Sequence, residues 1–454
     1  MNKPLPLFAY QAQAADVMAN RERFGLHDEM GIGKTATSIG AVNRVFGVRG
    51  IVVCPAMLRE NWIKEFQKFS IYPLRMCKGK NIHDFIAWSR GRYDVLVTSY
   101  EQATKWYKEF AKQGEILDFI IMDEAHYIKN IEANRTKAML GEEANGRNCL
   151  IEWAQHAWHV TGTPMANDPN DIYPFLRFTK ALDLTPREFT NTFFESREGT
   201  YNTRYFVKDD MVGILKELIY NNSIRRFHQD VGMDLPKIWM KEILVDGDTK
   251  EIGNMIAEFP FIEDAIKDAI ENGGLSNLDA EYIATLRRLV GKAKAIPYAQ
   301  MLKWELDSGS GKRVVFCIHT EPLLYLKNYL LKNGYDCVVA YGASTEAERV
   351  EAVDRFMNDP KCMVFIGNIK VAGTGLTLTE SSDIDMLESD WSPAGNAQAI
   401  KRVHRYGQKE EVSARFITLS KTIDEAVNRL VAEKTAAIAQ IEGQEMTSAP
   451  LDTA

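Results

Sequence analysis

Short continuous apolar runs alternate along this chain with longer stretches in which apolar residues recur every three or four positions. The runs read as strands buried on both faces and the stretches as amphipathic helices, a pattern that predicts an α/β fold with parallel sheets covered by helices. The alternation occurs twice. In the first half, strands are predicted at GIVVCP (50–55), DVLVTSY (94–100), FIIMDEAH (119–126) and WHVTGTP (158–164). In the second half they are predicted at RVVFCIH (313–319), CVVAYG (337–342), CMVFIGN (362–368), IDMLES (384–389) and SARFITLS (413–420). Thr345 and Glu348 form a capping box that opens a helix, and Val350, Val353, Phe356 and Met357 behind it are read as a core-facing stripe. From about residue 178 to 300 the chain is rich in helix formers and charge, with ENGGLSN (271–277) as its clearest break. This stretch is expected to bridge two sheets, and the last dozen residues, GQEMTSAPLDTA, to form a loose tail. The reading is two parallel-sheet lobes in tandem: residues 1–235, helical from about 178, then a helical bridge and second lobe over 236–454 with its core at about 297–442.

A length of 454 residues fits two domains of ordinary size. Hydrophobic residues at 45% and charged residues at 26% give a globular balance able to bury a large interior. The formal charge of −7 supplies no global basic field, so a polyanion partner has to be held by local Lys and Arg clusters. The six cysteines form no CxxC pair and no regular framework, which fits a reducing compartment. No apolar signal core opens the chain, and no stretch approaches the roughly 20 apolar residues of a membrane span. The expectation is a protein that is not secreted and has no membrane partner.

The chemistry begins at HDEMGIGKTATSIGA (27–41), which holds a Gly-Lys-Thr triplet. The full phosphate loop is GxxxxGK[ST], but Asp28 occupies its first glycine position. The remainder still suffices physically. Gly31 and Gly33 let backbone N–H groups turn inward, Lys34 brings a cation to the outer phosphates, and Thr35 offers a hydroxyl to Mg²⁺ at a helix N-terminus. The alternative, a glycine turn capping an ordinary helix, needs neither the lysine nor the threonine. IIMDEAHYIKN (120–130) then sets Asp123 and Glu124 at the end of an apolar run. Buried acids are costly unless paired or bound to metal, and a Mg²⁺ at the first with a water polarised by the second would satisfy both. A solvated acidic turn would explain the pair alone, but not the lysine loop before it. The two motifs together point to an ATPase.

These residues carry a resemblance. DEMGIGKT, DEAHYIKN and QAIKRVHRYGQ (398–408) resemble motifs I, II and VI of the Snf2-like branch of superfamily 2 helicases, in which Asp normally replaces the first loop glycine. In order along the chain, YQAQ (10–13) resembles the adenine-reading glutamine motif, IVVCPAMLRENWIKEF motif Ia, VTSYE motif Ib and VTGTPMAN motif III. SIRRFHQDVGMDLPK (223–237) resembles the segment leading into the second lobe, VVFCIHT motif IV and KVAGTGLTLTESS motif V. The similarity spans residues 5 to about 435. It implies two RecA-like lobes using ATP and Mg²⁺. The nucleotide would be held by Gln11, Met30, Gly31, Gly33, Lys34, Thr35 and Gly375, and the metal by Thr35 and Asp123. Lys34, Asp123, Glu124, Arg402 and Arg405 would carry the chemistry, the arginines neutralising charge on the phosphoryl group so that hydrolysis depends on lobe closure. Taken alone, the three-residue spacing of Arg402 and Arg405 also fits a solvated helix face.

The resemblance further implies DNA phosphate contacts from Arg59, Thr98, Lys129, Lys370 and Thr374, since a translocating motor must not depend on base sequence. Trp391 matches a tryptophan that couples DNA and ATP sites; core packing is an equal alternative, and Ser392 stands where the family more often has Asn. His156 and His159 in HAWH lack a second pair of metal ligands and are read as ordinary strand-edge residues. The stretch from motif V to motif VI looks most like the annealing-helicase and fork-remodelling subgroup. The first expectation is therefore a motor on double-stranded or branched DNA, monomeric when free, moving forks or Holliday junctions in recombination or repair. The second is a remodeller that displaces DNA-bound protein such as polymerase. A DNA-binding module with a dead ATPase is disfavoured by Lys34, Glu124 and the arginine pair. The setting expected is the cytoplasm of a bacterium or virus-infected cell, or a eukaryotic nucleus.

Overall fold

The structure is a computed structural model. It describes residues 4–46, 48–111, 115–141, 149–166, 168–198, 203–233, 235–258, 280–372, 376–390, 392–405, 407–425, 427–429, 431 and 435. Thr374, Gly375, Trp391, the ENGGLSN break and the tail from 443 lie outside the described residues. The chain divides into two compact units, Met1–Glu195 with Val207–Met233, and Ser196–Phe206 with Asp234–Ala454.

In the first unit the strands are β1 (Arg23–Leu26), β2 (Gly50–Cys54), β3 (Met76–Gly79), β4 (Val95–Ser99), β5 (Leu117–Asp123) and β6 (Ala154–Val160). Next along the chain come β7 (Phe194–Glu198) and β8 (Thr203–Val207), which pair with each other and lie largely in the second unit's Ser196–Phe206 segment, and then β9 (Ser223–Ile224) of the first. The main sheet runs β3-β4-β2-β5-β6-β1-β9, every neighbouring pair parallel. A central parallel strand is covered on both faces, which is why β2 and β4 are buried along their whole length. One face packs Leu26, Val52, Val97, Ile121 and Trp158 against Trp62 and Phe66 of the helix Arg59–Phe69.

In the second unit the strands are β10 (Ile238–Val245), β11 (Arg313–Cys317), β12 (Asp336–Ala340), β13 (Cys362–Asn368), β14 (Asp383–Met386) and β15 (Val412–Leu419). They form a sheet in the order β10-β15-β14-β11-β13-β12, again all parallel. Val315, Ile366 and Ile417 meet Tyr298 and Leu302 of the long helix Ala280–Asp307, while Phe316, Phe365 and Ile384 meet Phe356 and Ala399 on the other face. Among the described residues no helix is long and apolar enough to cross a membrane.

Three features differ from the sequence reading. β1, β3 and β9 span two to four residues, too short for a periodicity to register. β10 falls within the stretch expected to be helical, and as an edge strand it exposes Trp239, Met240 and Leu244 instead of alternating cleanly. The capping box of Thr345 and Glu348 is present and Phe356 is fully buried, but Val350 is 64% exposed and does not belong to the core. Six residues along a helix turn a side chain by about 120° from Phe356, enough to carry Val350 off the buried face.

Candidate functional site

Parallel sheets present ligands beyond the C-terminal ends of their strands, and the predicted motifs of the first unit gather there. β1 ends at Leu26 and the chain turns through residues 27–33 into the helix Lys34–Arg44. Gly31 and Gly33 hold φ values of 91° and 90°, a left-handed backbone that side chains other than glycine rarely adopt. Lys34 curls back so that Nζ donates to the carbonyls of Asp28 (2.9 Å) and Glu29 (3.2 Å). Burial lowers its pKa while Glu124, Asp28 and Asp123 hold it up, in that order. Gln11 Nε2 and the Tyr10 hydroxyl both donate to the Ile32 carbonyl, at 3.2 and 2.8 Å, so the glutamine motif is tied to the loop itself. Met30 and Thr35 are half-buried, and a Cβ on Gly162 would lie 2.9 Å from Met30 Cγ and 3.1 Å from Lys34 Nζ. The segment after β6 therefore closes on the loop.

Asp28 has a structural role that the missing glycine did not disclose. Fully buried, it pairs with the guanidinium of Arg226, whose Nε donates to it at 3.0 Å. Arg226 also donates to the Tyr10 carbonyl (2.6 Å), and Arg225 to the carbonyls of His27 (2.6 Å) and Gly162 (2.8 Å). With His27 N donating to Ile224 O and Glu29 N to Arg226 O, residues 224–228 splint the loop along its length. A charged residue where a glycine belongs calls for a charged partner, and Arg226 was the signal available in SIRRFHQDV.

Asp123 and Glu124 close β5. Asp123 is buried; its Oδ2 accepts from Trp62 Nε1 at 2.7 Å and its carbonyl from the Tyr100 hydroxyl at 2.8 Å. Burial and then the charge of Glu124 raise the Asp123 pKa, opposed by Trp62 and Lys34. Glu124 sits in the left-handed region (φ 50°, ψ 48°), a conformation costing of order 1 kcal/mol or more for a non-glycine residue and frequent at functional sites. Its Oε2 lies 3.3 Å from His126 Nδ1, which also meets the hydroxyls of Thr161 (3.3 Å) and Thr163 (3.5 Å) after β6. Two crowded acids beside a lysine, facing a positive-φ loop at a helix N-terminus, fit a phosphate chain with a divalent cation. Thr35 and Asp123 would hold the metal.

His159 is not at a strand edge, because β6 lies between β5 and β1. It is buried, and its Nδ1 lies 3.1 Å from Nε2 of fully buried His27, with Phe175 packed on both rings. His156 is half-buried, near the Arg21 carbonyl. Burial, then His159, Arg225 and Lys34, push the His27 pKa well below its ordinary value; burial and then His126 push His159 down to about 3. Both rings are neutral when folded. Below the unfolded value of about 6.5 the unfolded chain binds protons that the folded chain does not, so stability is complete above that pH and falls toward pH 3. Each ring is expected to contribute up to about 1.4 kcal/mol per pH unit in that window, and urea unfolding with His159→Phe should show a shallower slope than wild type.

In the second unit, the helix Pro393–Ile400 ends before Arg402 and Arg405, so the two arginines do not share a regular helix face. They are half-buried on a turn stitched to residues 376–381: Leu378 N donates to the Arg402 carbonyl (2.9 Å), Arg405 Nη1 to Leu376 O (3.2 Å) and Gln408 Nε2 to Ser381 O (2.7 Å). Burial lowers the Arg405 pKa. Of the expected DNA contacts, Arg59 and Thr98 meet at one carbonyl, that of Gly79. Lys370 is exposed, Arg59 donates to the Gly79 carbonyl (2.9 Å), and Lys129 pairs with Asp171 (3.0 Å). Thr98 corrects the expectation: it is 1% exposed and its hydroxyl donates to Gly79 O, so it is an internal brace with no surface for a phosphate.

Comparison with known proteins follows the same division. The model of the SNF2-related domain matches residues 10–252, and that of the helicase conserved C-terminal domain matches residues 296–407. The chain is 26% identical over 410 residues to the human (Homo sapiens) DNA annealing helicase and endonuclease ZRANB3, covering 87% of this chain and 36% of that protein. It is 24% identical over 451 residues to the ISWI chromatin-remodeling complex ATPase ISW2 of Saccharomyces cerevisiae, covering 90% of this chain and 38% of that one. The chain thus spans little more than a third of these relatives' lengths. The Sulfolobus solfataricus SWI2/SNF2 ATPase core, solved in complex with dsDNA, aligns over 97% of this chain and 93% of its own at 21% identity and a TM-score of 0.44. The SNF2-related model alone takes in more than half of the sequence, with the phosphate loop, the acidic pair and the Arg225–Arg226 splint inside it. The chain belongs to the SNF2-related family of superfamily 2 helicases, with a RecA-like lobe in each unit.

Proposed function

We propose that this chain hydrolyses ATP with Mg²⁺ to translocate on double-stranded DNA, and that it spends the motion on branched DNA, moving forks or Holliday junctions. The observation that carries the reading is the positive-φ loop brought beside the acidic pair: Gly162 closes on Lys34 Nζ, and its neighbours Thr161 and Thr163 meet His126, which meets Glu124. In this reading Lys34 and the backbone N–H groups of the loop hold the phosphates, Gln11 serves the adenine end, and Glu124 orients the attacking water. Mg²⁺, when bound, supplies charge neutralisation between the phosphate oxygens, with Thr35 and Asp123 as its protein ligands. Arg402 and Arg405 stabilise charge on the transferring phosphoryl group, making turnover depend on both units. Arg59, Lys129 and Lys370 bind DNA phosphates without reading sequence.

The match to an annealing helicase supports work on branched DNA, and the match to a chromatin-remodelling ATPase supports a second reading, displacement of DNA-bound protein. The test is ATP turnover with single-stranded, duplex, forked and four-way DNA, with Lys34→Ala as control. Strongest stimulation by forked and four-way DNA, with junction movement, is expected. Duplex stimulation without junction movement, but with release of a bound protein, would replace the first reading by the second.

A further inference from the structure

His228 stands just past the Arg225–Arg226 splint and belongs to none of the motif roles above. It is 6% exposed. Its backbone N and its Nδ1 both meet Oε2 of Glu29, at 3.1 and 2.7 Å, which fixes the ring's plane and commits Nδ1 as a donor. The other ring nitrogen, Nε2, is buried and has no hydrogen-bond partner among the described residues. It faces the phosphate loop: a Cβ on Gly31, one of the two positive-φ glycines, would lie 3.3 Å from it.

A buried polar nitrogen left open is costly, and such groups persist where a ligand completes them. Here the opening is toward a loop whose backbone N–H groups, helix N-terminus and lysine all favour one kind of ligand, an anion with several oxygens. We infer that His228 Nε2 donates to a phosphate oxygen of the nucleotide held by the loop. His228 thereby joins the phosphate site from outside the Gly-Lys-Thr motif. With Nδ1 committed to Glu29, Glu29 is the residue that aims Nε2 at the phosphate. Residues 224–228 then serve twice, bracing the loop and delivering a ligand to its contents. This inference rests on the reading of the loop as the ATP site.

The test compares equilibrium binding of MgATP, MgADP and adenosine, the last by competition against MgADP, in wild type, His228→Asn, His228→Gln and Lys34→Ala. Asn reproduces the reach of Nδ1 to Glu29 but ends short of Nε2; Gln carries an amide N–H to the Nε2 position. Loss of a hydrogen bond to a charged group predicts that His228→Asn weakens MgATP and MgADP binding about tenfold or more. Adenosine competition should not change, His228→Gln should recover part of the loss, and the thermal midpoint of each variant should stay near wild type. Should His228→Asn not fold, His228→Gln binding no better than Lys34→Ala would overturn the inference. So would wild-type affinity in His228→Asn, or an equal loss of adenosine, which would assign Nε2 to the ribose or to folding. Failure of wild type to bind ATP at all would remove the loop reading as well, whereas normal His228→Asn beside a defective Lys34→Ala removes this inference alone.

Discussion

Arg402→Ala is expected to leave ATP affinity nearly unchanged and to lower DNA-stimulated turnover by roughly 10³- to 10⁵-fold, the range an arginine contributes to phosphoryl transfer when it meets the charge of the transition state. In the proposed reading the phosphates are held by Lys34 and the positive-φ loop of the first unit, so most of the binding should survive the loss. Arg402 belongs to the second unit, half-buried on a turn held to the segment at 376–381 by Leu378 N donating to the Arg402 carbonyl and Gln408 Nε2 donating to Ser381 O. A guanidinium partly stripped of water, on a turn whose backbone is held, acts where charge is less screened than in bulk water. Arg402→Lys should restore only a small part of the rate, because a point charge on a flexible stem does not reproduce a planar fork. The check is kcat against the Kd for ATP, measured on the same protein preparations.

Glu124→Gln should reduce kcat by roughly 10²- to 10⁴-fold, the contribution of a general base, while ATP binds as tightly as in wild type or more so. The amide keeps the shape of the side chain and its proximity to His126, but it cannot draw a proton from water. Removing the negative charge also relieves Asp123, whose pKa is raised by its burial and by Glu124. The folded protein should therefore be no less stable than wild type, which separates this variant from one that simply unfolds. Rapid-quench measurement of a single turnover, with ATP prebound, isolates the chemical step.

How far these residues could be read from the sequence depended on whether the signal was local. β2, β4 and β5 are buried parallel strands, and each holds an apolar run, Ile51–Cys54, Val95–Val97 and Phe119–Met122, with Asp123 and Glu124 directly after the last. Gly31, Gly33 and Lys34 were legible because phosphate binding dictates their order within a few residues. What escaped was set by distant partners. Asp28 was recognised as a departure, but its answer, Arg226, lies 198 positions away. Trp62 and Tyr100 hold Asp123 across the sheet, and nothing in NWIKEF or VTSYE marks either as more than core. Thr98 was expected from the resemblance to meet a DNA phosphate and is an internal brace; His159 looked like an edge residue and is packed against His27. β10 failed for a different reason, since an edge strand has one unpaired side and its mixed exposure matches no period.

If the proposed function is right, ATP held by the Lys34 loop should be cleaved only with help from the second unit. This dependence is tested most directly by measuring ATP affinity and single-turnover hydrolysis on saturating duplex DNA for wild type, Lys34→Ala and Arg402→Ala. Lys34→Ala should lose affinity, and Arg402→Ala should keep near wild-type affinity with a hydrolysis rate reduced at least about a thousandfold. Wild-type hydrolysis by Arg402→Ala would contradict that dependence.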